Sequence, residues 1–142
     1  DENLAIRLQG SWTKGGISRL IPLTTQSQRD CLNRIKLLVN KKDSLIPKEL
    51  TYRQQRERYD YLTHSNGFHK LHGLRHAYAQ RRYEIITHEL TKGNGWKPPI
   101  AGGPTSSQLN AYEKHIDYQA RLMISQELGH SRVSIIQSYC GK

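Results

Sequence analysis

The stretch Lys70-Leu71-His72-Gly73-Leu74-Arg75-His76, read together with Leu128-Gly129-His130 and with Tyr139, decides how this chain folds and what it can do. On a helix, residues three apart stand one turn above each other, so His72 and Arg75 present an imidazole and a guanidinium to the same point. A phosphate suits that pair. Arginine offers a planar fork of donors matched to phosphate oxygens, and histidine donates a hydrogen bond or moves a proton near neutral pH. Further on, Gly129 ends one helix, His130 follows it, and Tyr139 sits on a short final helix, supplying a hydroxyl nucleophile. A lone His-x-x-Arg occurs often by chance; the ordered set is far more specific.

His-x-x-Arg-His, then Leu-Gly-His, then a tyrosine nine residues after that last histidine, resembles the catalytic domain of the tyrosine recombinases, the phage integrase family. The resemblance implies an α+β fold, mainly α-helical with a small antiparallel β-hairpin near the N-terminus. Residues 1–142 then correspond to the C-terminal part of that domain. The chain begins Asp-Glu-Asn and its single Met is Met123, which reads as a piece of a longer protein.

Composition agrees with a nucleic-acid partner. Twenty-two Lys and Arg stand against 12 Asp and Glu, a formal net charge of +10, which calls for a polyanion. An anionic membrane surface has less support, since the sequence has no basic amphipathic stripe with a large apolar face and no long apolar run. Cys31 and Cys140 lie far apart without metal-ligand spacing, and no secretory signal is visible, so the expected setting is a reducing cytoplasm.

Residues 3–23 read as a hairpin, because Leu4, Ile6 and Leu8 alternate with Ala5 and Arg7, and Ile17 to Leu23 forms a second β-rich run. Gly15-Gly16 permits positive φ at the turn and leaves Lys14 at its tip. Taken alone, Lys14 is a solubilising turn residue. In the resembling family, a Lys-Gly turn followed by Arg and a hydrophobic-Pro-Leu run carries the catalytic lysine; Lys14-Gly15-Gly16 and Arg19-Leu20-Ile21-Pro22-Leu23 match that pattern.

Residues 24–40 predict an amphipathic helix capped by Thr25 or Ser27, with Cys31, Ile35, Leu38 and Val39 on its apolar stripe and Lys36, Lys41 and Lys42 on its polar side and end. After a linking loop over 43–49, Thr51 caps a polar helix to about Ser65, with Tyr52, Tyr59 and Leu62 facing inward and Arg53, Arg56 and Arg58 outward. Asn66-Gly67 stops it. The signature helix runs from His72 to about Thr91 and is expected to bury Leu74, Ala77, Tyr78 and Ile85. His69, His72 and His76 raise the possibility of zinc, which the absence of a completing carboxylate or thiol and the adjacent Arg75 argue against.

Residues 92–107 form one long loop rich in Gly and Pro, resembling an insertion and expected to be dispensable for folding; Trp96 either pins it to the body or stacks on a base, the first being favoured. Ser106 or Ser107 then caps a long helix to Leu128, with Leu109, Tyr112, Ile116, Ala120, Met123, Ile124 and Leu128 on one face. Ser131 caps the last helix, Val133, Ile136 and Cys140 make its buried stripe, and Tyr139 lies half-buried at the stripe's edge.

The activity implied by the resemblance is site-specific cutting and rejoining of DNA, as in the integrase of a prophage or genomic island. Tyr139 is the implied nucleophile, Arg75 and His130 the implied phosphate ligands, His72 the group that orients or deprotonates the tyrosine, and Lys14 the acid for the leaving oxygen. Arg19, Arg53, Arg56 and Arg132 are candidate DNA contacts. Neither a metal nor another cofactor is implied, because cationic side chains hold the phosphate charge. The implied partners are double-stranded attachment sites and further copies of the protein in a tetramer on DNA. One departure matters: the family uses another arginine, in an Arg-x-x-Glu context on a helix before the hairpin, and an N-terminal DNA-clamping domain, and neither is found within these residues. A type IB topoisomerase, a non-catalytic DNA-binding module and a zinc-bound structural domain are the competing classes.

Overall fold

The structure, a computed structural model, describes residues 5–13, 15–40 and 43–142. It is mainly helical, with one small antiparallel sheet near the N-terminus. The sheet pairs β1 (Ala5–Leu8) with β2 (Arg19–Pro22), as the alternation predicts. The helices are α1 (Gln26–Lys36), α2 (Tyr52–Ser65), α3 (His72–Leu90), α4 (Ala111–Leu128) and α5 (Gln137–Cys140). No helix among the described residues is long and apolar enough to cross a membrane. The chain divides into two compact units, one made of Asp1–Ala5 and Pro22–Leu71, the other of Ile6–Ile21 and His72–Lys142.

In the first unit both helices begin as the sequence predicts. Thr25 and Thr51 each accept from the backbone N–H three residues on, while Gln28 and Gln54 reach back to the cap N–H. The apolar stripes are another matter. Cys31 is exposed rather than a core residue, α1 stops at Lys36 instead of reaching Asn40, and Tyr52, Tyr59 and Leu62 are exposed rather than inward-facing. Spacing identified helices here, but none of their residues is buried. At the end of α2 only Gly67 adopts positive φ; Asn66 does not.

The second unit holds the core. Ala79, Tyr83 and Ile86 of α3 pack with Ala120, Ile124 and Leu128 of α4 and with Ile136, Tyr139 and Cys140 at the C-terminal end. The face of α3 that this buries differs from the expected one: Leu74 and Ala77 are exposed, Tyr78 and Ile85 partly so, whereas Arg82 and Thr87 are buried. Polar pairing explains the rotation. Arg82 donates Nε and Nη2 to Glu127 at 3.0 and 2.7 Å, and Tyr78 donates to the same carboxylate at 2.7 Å. Asp117 accepts from Tyr83 at 2.5 Å and from Arg121 Nε at 2.8 Å, while Arg121 Nη1 holds the Gly141 carbonyl at 2.8 Å. Buried polar groups answered this way cost little to place inside. Burial, then the neighbouring carboxylate, pushes both tyrosine hydroxyls well above their ordinary pKa, so they remain donors.

On α4 the cap is Asn110, paired reciprocally with Glu113, not Ser106 or Ser107. Leu109, Ile116, Ala120, Ile124 and Leu128 are buried as expected, but Tyr112 and Met123 are exposed. Ser131 caps nothing; a 3-10 turn over Val133–Ile136 starts after Arg132 and leads into α5. The 92–107 loop is held to the body at Trp96 and Pro98. Trp96 donates its indole N–H to Tyr83 at 3.0 Å, its backbone exchanges hydrogen bonds with Thr87 Oγ1, and Pro98 is fully buried. Gly95 lies so close to His88 that a Cβ would overlap its backbone. Trp96 is therefore an anchor, the favoured of the two sequence readings.

Candidate active site

Arg75, in the first turns of α3, meets the C-terminal end of α4. Its Nη2 donates to the Leu128 carbonyl at 2.5 Å and lies 3.2 Å from Nε2 of His130. The Leu128 carbonyl is among those that a helix end leaves without an intrahelical partner, and a cation there also complements the helix dipole. Gly129 makes the approach possible: at φ 71° it closes α4 in the left-handed conformation and turns the chain so that His130 faces Arg75.

Because a guanidinium can only donate, Nε2 of His130 must be the accepting nitrogen, and a neutral ring then carries its proton on Nδ1. The environment favours that neutral form. Burial, then the positive charges of Arg75 and Arg19, pulls the His130 pKa below its ordinary value of 6.5. His130 is thus a neutral hydrogen-bond donor through Nδ1 at pH 7, held between two cations.

Tyr139 is buried, at 5% exposure, rather than half-buried at the edge of a stripe. Its ring centroid lies 4.6 Å from that of His76, 5.7 Å from His130 and 6.3 Å from His72. His72 and His76, one turn apart on α3, are 5.4 Å apart. Gln80, one turn further, donates to the Tyr139 backbone carbonyl at 3.1 Å and fixes α5 against α3. Residues of α3 that lie 59 to 67 positions before it in sequence are thereby gathered around one tyrosine.

Of the sequence candidates, His72, Arg75, His130 and Tyr139 come together. Lys14 lies outside the described residues. Arg19 joins the group, since it lines a cleft of about 550 Å³ with Gly129 and His130. Arg132 is exposed just after His130. Arg53 and Arg56 belong to the other unit, where they are exposed and face Glu57 at 3.0 Å and Asp60 at 3.9 Å on their own helix. Such exposed pairs hold little energy, so both arginines can exchange partners at small cost. Sequence reasoning missed His76 and Gln80 as neighbours of Tyr139; their i+4 and i+8 offsets from His72 place all three on one helix face, and that was the available signal.

Among the described residues, no group of His, Cys, Asp and Glu is arranged to hold a metal ion. The chemistry the cluster offers is polar and cationic: two arginines, a neutral imidazole donor, two further imidazoles and a phenol. No protein-family profile, no curated protein and no solved structure matches the chain.

Proposed function

We propose that this protein cuts and rejoins double-stranded DNA through a covalent phosphotyrosine, as a site-specific recombinase of the tyrosine recombinase type. The observation that carries the reading is the gathering of His72 and His130 around Tyr139, with Arg75 on His130, from two stretches of chain far apart in sequence. The resemblance of the motif set supplies the reaction, and the net charge of +10 suits the substrate.

In this scheme the Tyr139 oxygen attacks the scissile phosphorus and loses its proton to a neighbouring imidazole, His72 by motif position. The P–O5′ bond breaks, the DNA 3′-phosphate becomes joined to the tyrosine, and the leaving 5′-oxygen takes up a proton, which the sequence motif assigns to Lys14. Arg75 and the Nδ1–H of His130 hold the charge that grows on the non-bridging oxygens. A 5′-hydroxyl from another strand then reverses the chemistry and releases Tyr139. The phosphodiester's energy is retained in the linkage, so the cycle needs no nucleotide. Attachment-site DNA and further protomers assembled on it are the partners in this reading, within the cytoplasm.

Trapping on a nicked suicide duplex tests it. The wild-type chain is expected to form a covalent protein–DNA adduct, and Tyr139→Phe to lose the adduct while retaining affinity for the duplex. An adduct that persists in Tyr139→Phe would put the nucleophile elsewhere.

A further inference from the structure

Arg19 stands against the cluster in a position that the reaction scheme leaves unused. Its Nη1 and Cζ lie against Gly129; a Cβ at that position would overlap Nη1 and stand 2.9 Å from Cζ. That contact leaves the Nε–Nη2 edge of the guanidinium free of Gly129. Nε is buried and has no hydrogen-bond partner among the described residues. Arg82, in the same unit, shows what this edge does when satisfied, since its Nε and Nη2 fork onto the two oxygens of Glu127.

Neither Arg19 nor Arg75 is within ion-pair distance of a carboxylate among the described residues. Glu127 lines the same cleft, but its oxygens are taken by Arg82 and Tyr78. Two guanidinium groups therefore act on His130 with neither paired to a carboxylate among the described residues, and partly buried like charges are costly unless something answers them. A counter-charge that answers both has the chemistry of a tetrahedral oxyanion, which accepts a fork from one arginine and single bonds from the other groups.

We propose that Arg19 is a second phosphate-binding arginine of this site, holding through its Nε–Nη2 edge the same phosphate that Arg75 and His130 hold. The proposal rests on the functional reading above for the identity of that phosphate as a DNA phosphodiester. The oxyanion site itself does not depend on that reading. Arg19 also acts on His130: its charge is one of the causes that keep the imidazole neutral. A bound phosphate reverses that field and draws the ring toward its protonated form.

Two measurements on the full chain separate the possibilities. In the first, the His130 imidazole is followed by NMR across pH, with and without inorganic phosphate, in wild type, Arg19→Gln and Arg19→Lys. Wild type is expected to show a phosphate-dependent rise in the His130 pKa. Arg19→Gln should start from a higher value without phosphate and lose most of the response, and Arg19→Lys should retain the starting value but respond weakly, because lysine lacks the fork. No response to phosphate in wild type, or an equal response in Arg19→Gln, overturns the oxyanion site. In the second, adduct formation on the nicked duplex is expected to slow about 10² to 10³-fold in Arg19→Gln, and less in Arg19→Lys. Adduct formed at the wild-type rate in Arg19→Gln overturns the role in catalysis while leaving the recombinase reading intact. Absence of adduct from every protein, with the phosphate response preserved, removes the recombinase reading and keeps the second arginine. Arg19→Lys, which keeps the charge and the aliphatic stem, guards against misreading a folding defect as a lost ligand.

Discussion

Between Pro22 and Leu71 no described residue is buried, whereas the stretch from Ala79 to Cys140 buries a core of tyrosine, isoleucine, leucine and alanine together with two arginines and a glutamate. The two regions have comparable helical geometry and opposite ways of holding it. In the first, α1 and α2 have 11 and 14 residues, about the length at which an isolated helix is marginal in water, and their support is local: reciprocal caps and side-chain pairs one turn apart. Leu37, Leu38, Tyr52 and Tyr61 remain more than two-thirds exposed. In the second, helices are tied across long sequence separations by the forked Arg82–Glu127 ion pair, the Tyr83–Asp117 hydrogen bond and a common apolar centre. Local order without burial means low local stability, so the first region is expected to open far more readily than the second. The candidate site is built wholly on the second, where a packed scaffold can fix side-chain geometry.

The change expected to damage that contrast most is Glu127→Gln. It leaves Arg82 buried beside a neutral amide and weakens the bond from Tyr78, so the second unit should lose about 3 to 5 kcal/mol. Urea unfolding measures this directly. Native-state alkylation gives a second readout, because Cys31 is exposed and Cys140 is buried with its thiol pKa pushed up to about 11 by that burial. Cys31 should react at once in either protein and Cys140 only as the core opens, much sooner in the variant. Equal protection of Cys140 would mean that the ion pair does not hold the core.

Trp96→Ala comes next, at about 3 kcal/mol. The indole is only partly buried, but its loss strips Tyr83 of a donor and unpins the loop whose Pro98 is fully buried. A melting temperature unchanged by this substitution would return the loop to the dispensable insertion that its Gly and Pro content suggests.

That loop illustrates what the sequence could and could not tell. Breaker residues report that a segment is neither helix nor strand, and they say nothing of whether it packs. Helix ends were legible where a side chain makes a distinctive local bond, as at Thr25, Thr51 and Gly129. Asn110 with Glu113 carried the same signature but was hidden behind two nearby serines. The buried face of α3 was misread because periodicity credits only apolar residues, whereas Arg82 enters the interior on the strength of Glu127, a partner 45 positions away. For the site, the motif order pointed to His72, Arg75, His130 and Tyr139, which do converge. Arg19's place against Gly129 depends on tertiary approach, which no local pattern encodes.

A smaller effect separates the regions by pH. His130 has a folded pKa below its ordinary 6.5, so near and below that value the unfolded chain binds a proton that the folded site resists. Stability present above 6.5 is therefore lost as pH falls from there to the lowered folded value, and is flat below it. Subtracting the profile of His130→Gln from that of wild type isolates the contribution. The difference should appear in unfolding of the second unit and be absent from amide exchange in α2. A difference curve that rises on acidification would have the sign wrong and would place an anion beside the ring.

Thr51→Ala should have the smallest effect and the most local one. The Thr51 hydroxyl accepts from the Gln54 N–H at 3.3 Å, and Gln54 Oε1 accepts from the Thr51 N–H at 2.9 Å, so removing the hydroxyl breaks one arm of a reciprocal cap. Losing such a cap costs about 1 kcal/mol. In a helix with buried side chains that cost would be drawn from global stability. Here α2 buries nothing, so the cost should emerge as fraying of its first turns, with amide exchange there roughly 5-fold faster. The urea midpoint of the second unit and the alkylation rate of Cys140 should stay at their wild-type values. If instead Cys140 becomes accessible by the same factor, α2 and the core open as one cooperative unit, and the division between a locally held region and a core-held region fails.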